Sequence, residues 1–241
     1  MLLAGELLVH DVTPFATWWF PAEPMQRTIR KGSHRVSRRP TAGAQAGTVA
    51  GVDLHGWMTA DLASLRTKLF DGVVALVPQE RWHERADGGG STITGLLLHL
   101  GRHQDLAVNA VIRNHTPLFA AHRATLGLGD APLSVGIAER EAQRWTSEVP
   151  PEALLAYVTD VFDTTATWLE PLGSMAMDIQ PNVPYRLNHA AELDADELPW
   201  LYSMWQGKAL WWLVQWPVLG HGHTHTGEAV SIRNRFGLSP F

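Results

Sequence analysis

The sequence predicts an all-α protein, a four-helix bundle with long crossover connections. Three observations carry this. Apolar residues recur at three- and four-residue intervals over several stretches, and prolines, glycines and hydroxyl residues bound those stretches where helix ends belong. No segment alternates at period two for long enough to demand a sheet. A hydrophobic content of 45% in 241 residues is ample for one core.

Residues 1–57 read as a basic, loosely ordered N-terminal extension, and the bundle is assigned to 58–241. Residues 21–56 lack periodicity and are rich in Arg, Gly, Ala, Thr and Ser. The first fifty residues hold six Lys/Arg against three acids, whereas the remainder holds 13 against 21. A solvated extension, with Met58 as a sensible start, is preferred over a basic arm that binds something acidic.

Thr59 is expected to cap the first helix, with Asp61 in its first turn and Leu62, Leu65, Leu69, Val73 and Leu76 as its stripe, ended by Pro78. Gly88-Gly89-Gly90 breaks the chain, and Ser91 or Thr92 caps a second helix with the stripe Leu96, His99, Leu100, His103, Ala107 and Val111. Residues 115–149 read as irregular. Pro150-Pro151-Glu152 opens a third helix that runs to Pro171 and Gly173, and 172–197 is a long connection. Pro199 suits the first turn of a fourth helix bearing Trp200, Trp205, Trp211, Trp212 and Trp216. Pro217 kinks or restarts that helix, which continues to Phe236 with Gly237 as its stop.

Composition excludes several classes of function. There is no cysteine, so disulfides, thiolate ligands and a cysteine nucleophile are absent. A net charge of −5 argues against general nucleic-acid binding. The longest apolar run, Ala209 to Leu219, is too short for a bilayer and contains Gln215 and Pro217. The N-terminus lacks a signal-peptide pattern, so a cytoplasmic protein is expected. Sixteen arginines against three lysines suggest a GC-rich coding sequence. The aromatic density of the fourth helix exceeds what one bundle face usually buries, so a homodimer is expected.

Gly220-His221-Gly222-His223-Thr224-His225-Thr226-Gly227-Glu228 is the most pointed stretch, with three of the twelve histidines in five residues. On a helix, His221 and His225 stand one turn apart on one face, where two imidazoles can address one cation. His223 projects from roughly the opposite side. A third ligand is best sought on the second helix, where His99 and His103 are themselves one turn apart and spacing alone does not separate them.

A threonine, a few apolar residues and His99-Leu100 on helix two, paired with His221-x-x-x-His225-x-Gly227-Glu228 and a trailing Arg and Gly on the last helix, resembles the DinB/YfiT-like metalloproteins. That superfamily includes the bacillithiol and mycothiol S-transferases and the mycothiol-dependent maleylpyruvate isomerases. The resemblance spans about residues 58–239. It implies a divalent metal, zinc or nickel foremost, held by His99, His221 and His225, with His103 and His223 pointing away from the centre. Three histidines with further positions open is a catalytic pattern. Such a metal activates the thiol of a low-molecular-weight cosubstrate, mycothiol in a GC-rich source, towards a small electrophile. Glu228 is then either a hydrogen-bond acceptor for a ligand imidazole or the catalytic base. Arg102 and Arg233 are candidates for an anionic cosubstrate, with solvated arginine as the default. The tryptophans are expected mostly in the core, one or two of them at a pocket mouth. A metal and small-ligand binding protein without turnover, or a metal-dependent hydrolase, are the rival readings.

Overall fold

The computed structural model describes residues 53–129, 144–196 and 198–241. The basic stretch up to residue 52 lies outside the described residues, as does 130–143 of the segment expected to be irregular. Among the described residues every regular element is helical and none is a strand.

Helix α1 runs Leu54–Leu69 and begins six residues earlier than expected, so residues 54–57 belong to it and not to the extension. The cap is Asp53, whose carboxylate accepts from the Gly56 N–H at 2.7 Å. Thr59 sits inside the helix and donates its hydroxyl back to the His55 carbonyl. The buried face is Met58, Leu62, Leu65 and Leu69, the expected stripe extended by one turn. A wide π-helical turn, Phe70–Val74, follows.

Helix α2, Ile93–Asp105, has the predicted cap: Thr92 Oγ1 accepts from Gly95 N–H at 3.0 Å. It is buried on nearly every side, as expected of a helix surrounded by others. It too passes into a π-helical turn, Leu106–Ile112. A short α3, Phe119–His122, lies in the stretch expected to be irregular. Helix α4, Pro151–Leu169, opens on Pro151, whose missing N–H costs nothing at that position.

The connection expected over 172–197 contains a 3₁₀ turn, Ser174–Asp178, and helix α5, Val183–Ala191, capped by the Asn182 side chain on Tyr185 N–H. The predicted fourth helix is three pieces. Helix α6, Pro199–Trp205, stops before Gly207, whose φ of +71° leaves the helical region; α7 is Leu210–Val214. A third π-helical turn, Gln215–Gly220, spans Pro217, and α8 runs His221–Arg235. Gly237, at φ +77°, terminates it as predicted.

α2 packs against both α4 and α8, and α1 packs against the same two. Gly222 lets α8 come close to α1, since a β-carbon there would stand 2.5 Å from Leu65 Cδ2. Trp82 and Trp205 are fully buried in the core, whereas Trp57 and Trp211 keep more than a third of their surface in solvent. Among the described residues no helix is long and apolar enough to cross a membrane.

The cap at Asp53 yields a direct expectation. Asp53→Ala should cost about 1 kcal/mol and lower the melting temperature by about 2–4 °C in a domain of this size. An unchanged melting curve by circular dichroism would show that α1 is fixed by packing alone.

Candidate metal centre

Helices α2 and α8 bring together the three residues that carry the predicted site. His99 Nε2 stands 3.0 Å from His221 Nε2, and His225 Nε2 stands 3.1 Å from that same atom. One donor atom from each residue falls within 4.8 Å of the others, and all three side chains are half-buried.

Protons alone cannot satisfy this arrangement. A single nitrogen carries either one hydrogen or one lone pair, so His221 Nε2 cannot form two good N–H···N bonds at once. A cation takes all three lone pairs. Nitrogens bound at about 2.0–2.1 Å, with angles between 90° and tetrahedral, lie roughly 2.9–3.4 Å apart. The two spacings to His221 fall in that range, and the three donor atoms lie within 4.8 Å of one another. The donor set therefore fits a divalent ion held by three imidazoles, and the chemistry of imidazole allows zinc, nickel, copper or iron.

The protonation states agree. Burial is the largest influence on His221, followed by the neighbouring imidazoles His103, His99 and His225, and all depress its pKa far below the ordinary histidine value. It is neutral at pH 7 and able to ligate. His225 Nδ1–H donates to Glu228 Oε2 at 3.2 Å, a tautomer fixed by the carboxylate, which can only accept. That leaves the Nε2 lone pair of His225 directed at the shared point. The same hydrogen bond holds the Glu228 carboxyl below its usual pKa range. Glu228 thus reaches the ring nitrogen facing away from the centre. Of its two expected roles, this position matches the acceptor that orients a ligand.

The other expected residues sort differently. His103 does not point away from the centre. Its ring is 4% exposed, stacks on His221 with centroids 4.1 Å apart at 23°, and meets the Trp205 ring edge-on at 5.3 Å. Burial first, then His99 and His225, lowers its pKa to about 3. His223 does turn from the triad, but to a partner in another helix: its Nε2–H donates to Asp61 Oδ1 at 3.1 Å. In the sequence Asp61 shows only as a first-turn charge; its pairing with His223 across α1 and α8 carries no sequence signal.

Neither arginine is a solvated side chain. Arg233 is 5% exposed and binds the Gly72 carbonyl, tying α8 to the turn after α1. Arg102 is 7% exposed, with its guanidinium 3.9 Å over the Phe119 ring. It lines a cavity of about 160 Å³ with Asp105, Arg123 and Glu192, and none of the three histidines borders that cavity. Trp205 packs behind His103 and is fully buried.

Comparison with protein-family models, with curated proteins and with solved structures gives no match to this chain.

The geometry sets a mutational expectation. His99→Ala, His221→Ala and His225→Ala should each strip most of any divalent metal loaded at neutral pH, measured by metal analysis after gel filtration; full occupancy in His99→Ala would refute the triad. A pH expectation follows from the lowered imidazole pKa values. The folded state favours neutral His103 and His221, while the unfolded chain protonates them near pH 6.5. Their contribution is therefore present above about pH 6.5 and is lost as pH falls towards the folded value, about 3 for His103. Melting temperature and metal content should both decline over that window, and a flat profile from pH 7 to pH 4 would contradict it.

Proposed function

We propose that the chain is a metal-dependent enzyme of the DinB-like superfamily that transfers a low-molecular-weight thiol, mycothiol or a close analogue, to a small electrophile. The observation that carries this reading is the convergence of His99, His221 and His225 Nε2 on one point, from the two helices where the resemblance places ligands. The mutual packing of α1 and α2 with α4 and α8 supports a four-helix bundle as the scaffold. The absence of cysteine fits a scheme in which the sulfur arrives with the cosubstrate.

His99, His221 and His225 hold a zinc or nickel ion, and the chemistry such an ion supplies is a lowered pKa for a coordinated thiol or water. Glu228 holds His225 in the tautomer that ligates and raises the basicity of that ligand. The buried wall of His103 and Trp205 excludes water from one side of His221. The homodimer rests on the tryptophan density of the segment from Pro199 to Trp216, of which Trp211 keeps more than a third of its surface exposed.

The test is an assay of the zinc- and nickel-loaded protein with mycothiol and a generic electrophile such as a monochlorobimane dye. Thiol-dependent adduct formation that disappears in His99→Ala is the expected result. Metal binding with no thiol-dependent turnover would favour a binding protein, and turnover of an ester without thiol would favour a hydrolase. Glu228→Gln should retain the metal and lower kcat/KM by about 10–100-fold, the usual cost of removing a carboxylate behind a ligand histidine. Light scattering at micromolar concentration should give twice the chain mass, and a monomer mass would remove the dimer.

A further inference from the structure

Two of the three triad histidines sit on α8, yet they are supported differently. His225 has Glu228 on its outer nitrogen, whereas His221 Nδ1 is buried with no hydrogen-bond partner. A ligand imidazole ordinarily donates that N–H to an acceptor that fixes its orientation. Nothing of that kind holds His221. What touches its ring is another imidazole, His103, stacked at 4.1 Å and 23°.

The backbone beneath His221 is unusual in the same place. An α-helix would hydrogen-bond the His221 N–H to the Pro217 carbonyl, four residues back. Here the N–H goes instead to Trp216 and Val218 oxygens, because the chain is in its wide π-helical turn. The Pro217 carbonyl is thereby released from its α-helical donor, and His103 hydrogen-bonds to Pro217. Proline has no N–H, so the carbonyl accepts and the imidazole donates. His103 Nδ1 has no partner, which makes Nε2–H the donor.

One side chain thus performs two tasks. Its ring face sets the plane of the His221 ring, and its Nε2–H holds the turn from which His221 projects. His103, a full turn from His99 on the same helix, is not among the residues whose donor atoms gather within 4.8 Å of one another. We propose that His103 is a positioning residue of the metal centre, holding His221 and the Pro217 turn in the ligating arrangement in place of a carboxylate. This rests on the reading of His99, His221 and His225 as metal ligands.

The test uses cobalt(II) as the probe on the full chain, with affinity from competition against a chelator, stoichiometry, and the visible absorption spectrum. His103→Ala should still bind one ion per triad, about 10–100-fold more weakly and with shifted visible bands, since His221 is no longer held in one orientation. His103→Phe keeps the stacking face and loses the donor, whereas His103→Gln keeps a donor and loses the face. Both should fall between the wild type and His103→Ala in affinity, and they decide the matter if His103→Ala fails to fold. Wild-type affinity and spectrum in the folded variants would overturn the proposal while leaving the triad intact. Loss of the ion from His103→Ala alongside its retention in His99→Ala would make His103 a ligand and overturn it too. A wild-type protein that binds no cobalt would overturn both the proposal and the metal reading beneath it.

Discussion

The relative register of α2 and α8 is the constraint on which the centre depends. One of the three histidines rides on α2 and two ride on α8, so sliding either helix by a fraction of a turn separates His99 from the other pair. A helix rises about 1.5 Å per residue, and nitrogens 3.0–3.1 Å apart tolerate much less than that. The register is fixed by contacts on both sides of the site. Gly222 seats α8 against Leu65 of α1, His223 reaches Asp61, and Arg233 binds the Gly72 carbonyl. On the other side Gly101 of α2 lies under Tyr157 of α4, so close that a β-carbon would stand 3.1 Å from the ring. These are packing and hydrogen-bond devices at a distance from the imidazoles, and they act by leaving α2 and α8 only one way to meet.

The wide turns contribute rotation to the same end. Adding one residue to a helical turn advances everything after it by about 100°. Pro217 cannot supply the N–H that an α-helix needs, and a regular helix through it would clash with the carbonyl four residues before. The chain widens across Gln215–Gly220, and α8 begins at His221 itself. With that offset the His221/His225 face addresses α2, and the neighbouring Gly222/Thr226 face is buried on the side where Gly222 meets α1. A regular helix of the same sequence would bring a different face to α2. The proline that looks like an obstacle to the site in the sequence is therefore the residue around which its geometry is arranged.

That point separates what the residues announce from what only packing decides. Thr92, Pro151 and Gly237 are read correctly because each acts locally: a hydroxyl cap, a missing donor and a positive φ need no neighbours to be recognised. The His221/His225 pair is legible for a similar reason, since helical spacing alone puts two imidazoles on one face, whereas His99 as its partner on α2 follows from the resemblance, because spacing does not separate it from His103. Asp53 is obscured because the segment before it looks irregular, and Thr59 offers a plausible cap six residues later. The break at Gln206–Ala209 hid inside a run of tryptophans whose apolar character suits a continuous helix. His103 was placed wrongly because spacing says only that it shares a face with His99. Whether a second histidine on that face ligates, faces solvent or stacks on a third depends on what α8 brings to it. The arginines failed in the same manner, since an Arg over Phe119 and an Arg on a carbonyl look identical in sequence to solvated ones.

The charge balance of the site follows from these placements. Under the proposed reading, three imidazole ligands would leave the full double charge of a divalent ion in place, and Glu228 stands behind His225 and stays half in water. Burial makes His103 and His221 poor bases, so neither adds a proton to offset or compete with the ion at neutral pH. A centre of this kind retains its positive charge and attracts an anionic donor more strongly than one ligated by two or more carboxylates. Under the proposed reading that donor is a thiolate, softer than hydroxide and matched to a nitrogen-ligated ion of borderline softness. Under that same reading, a carboxylate placed behind the ligand would fix the His225 tautomer without cancelling the charge of the ion.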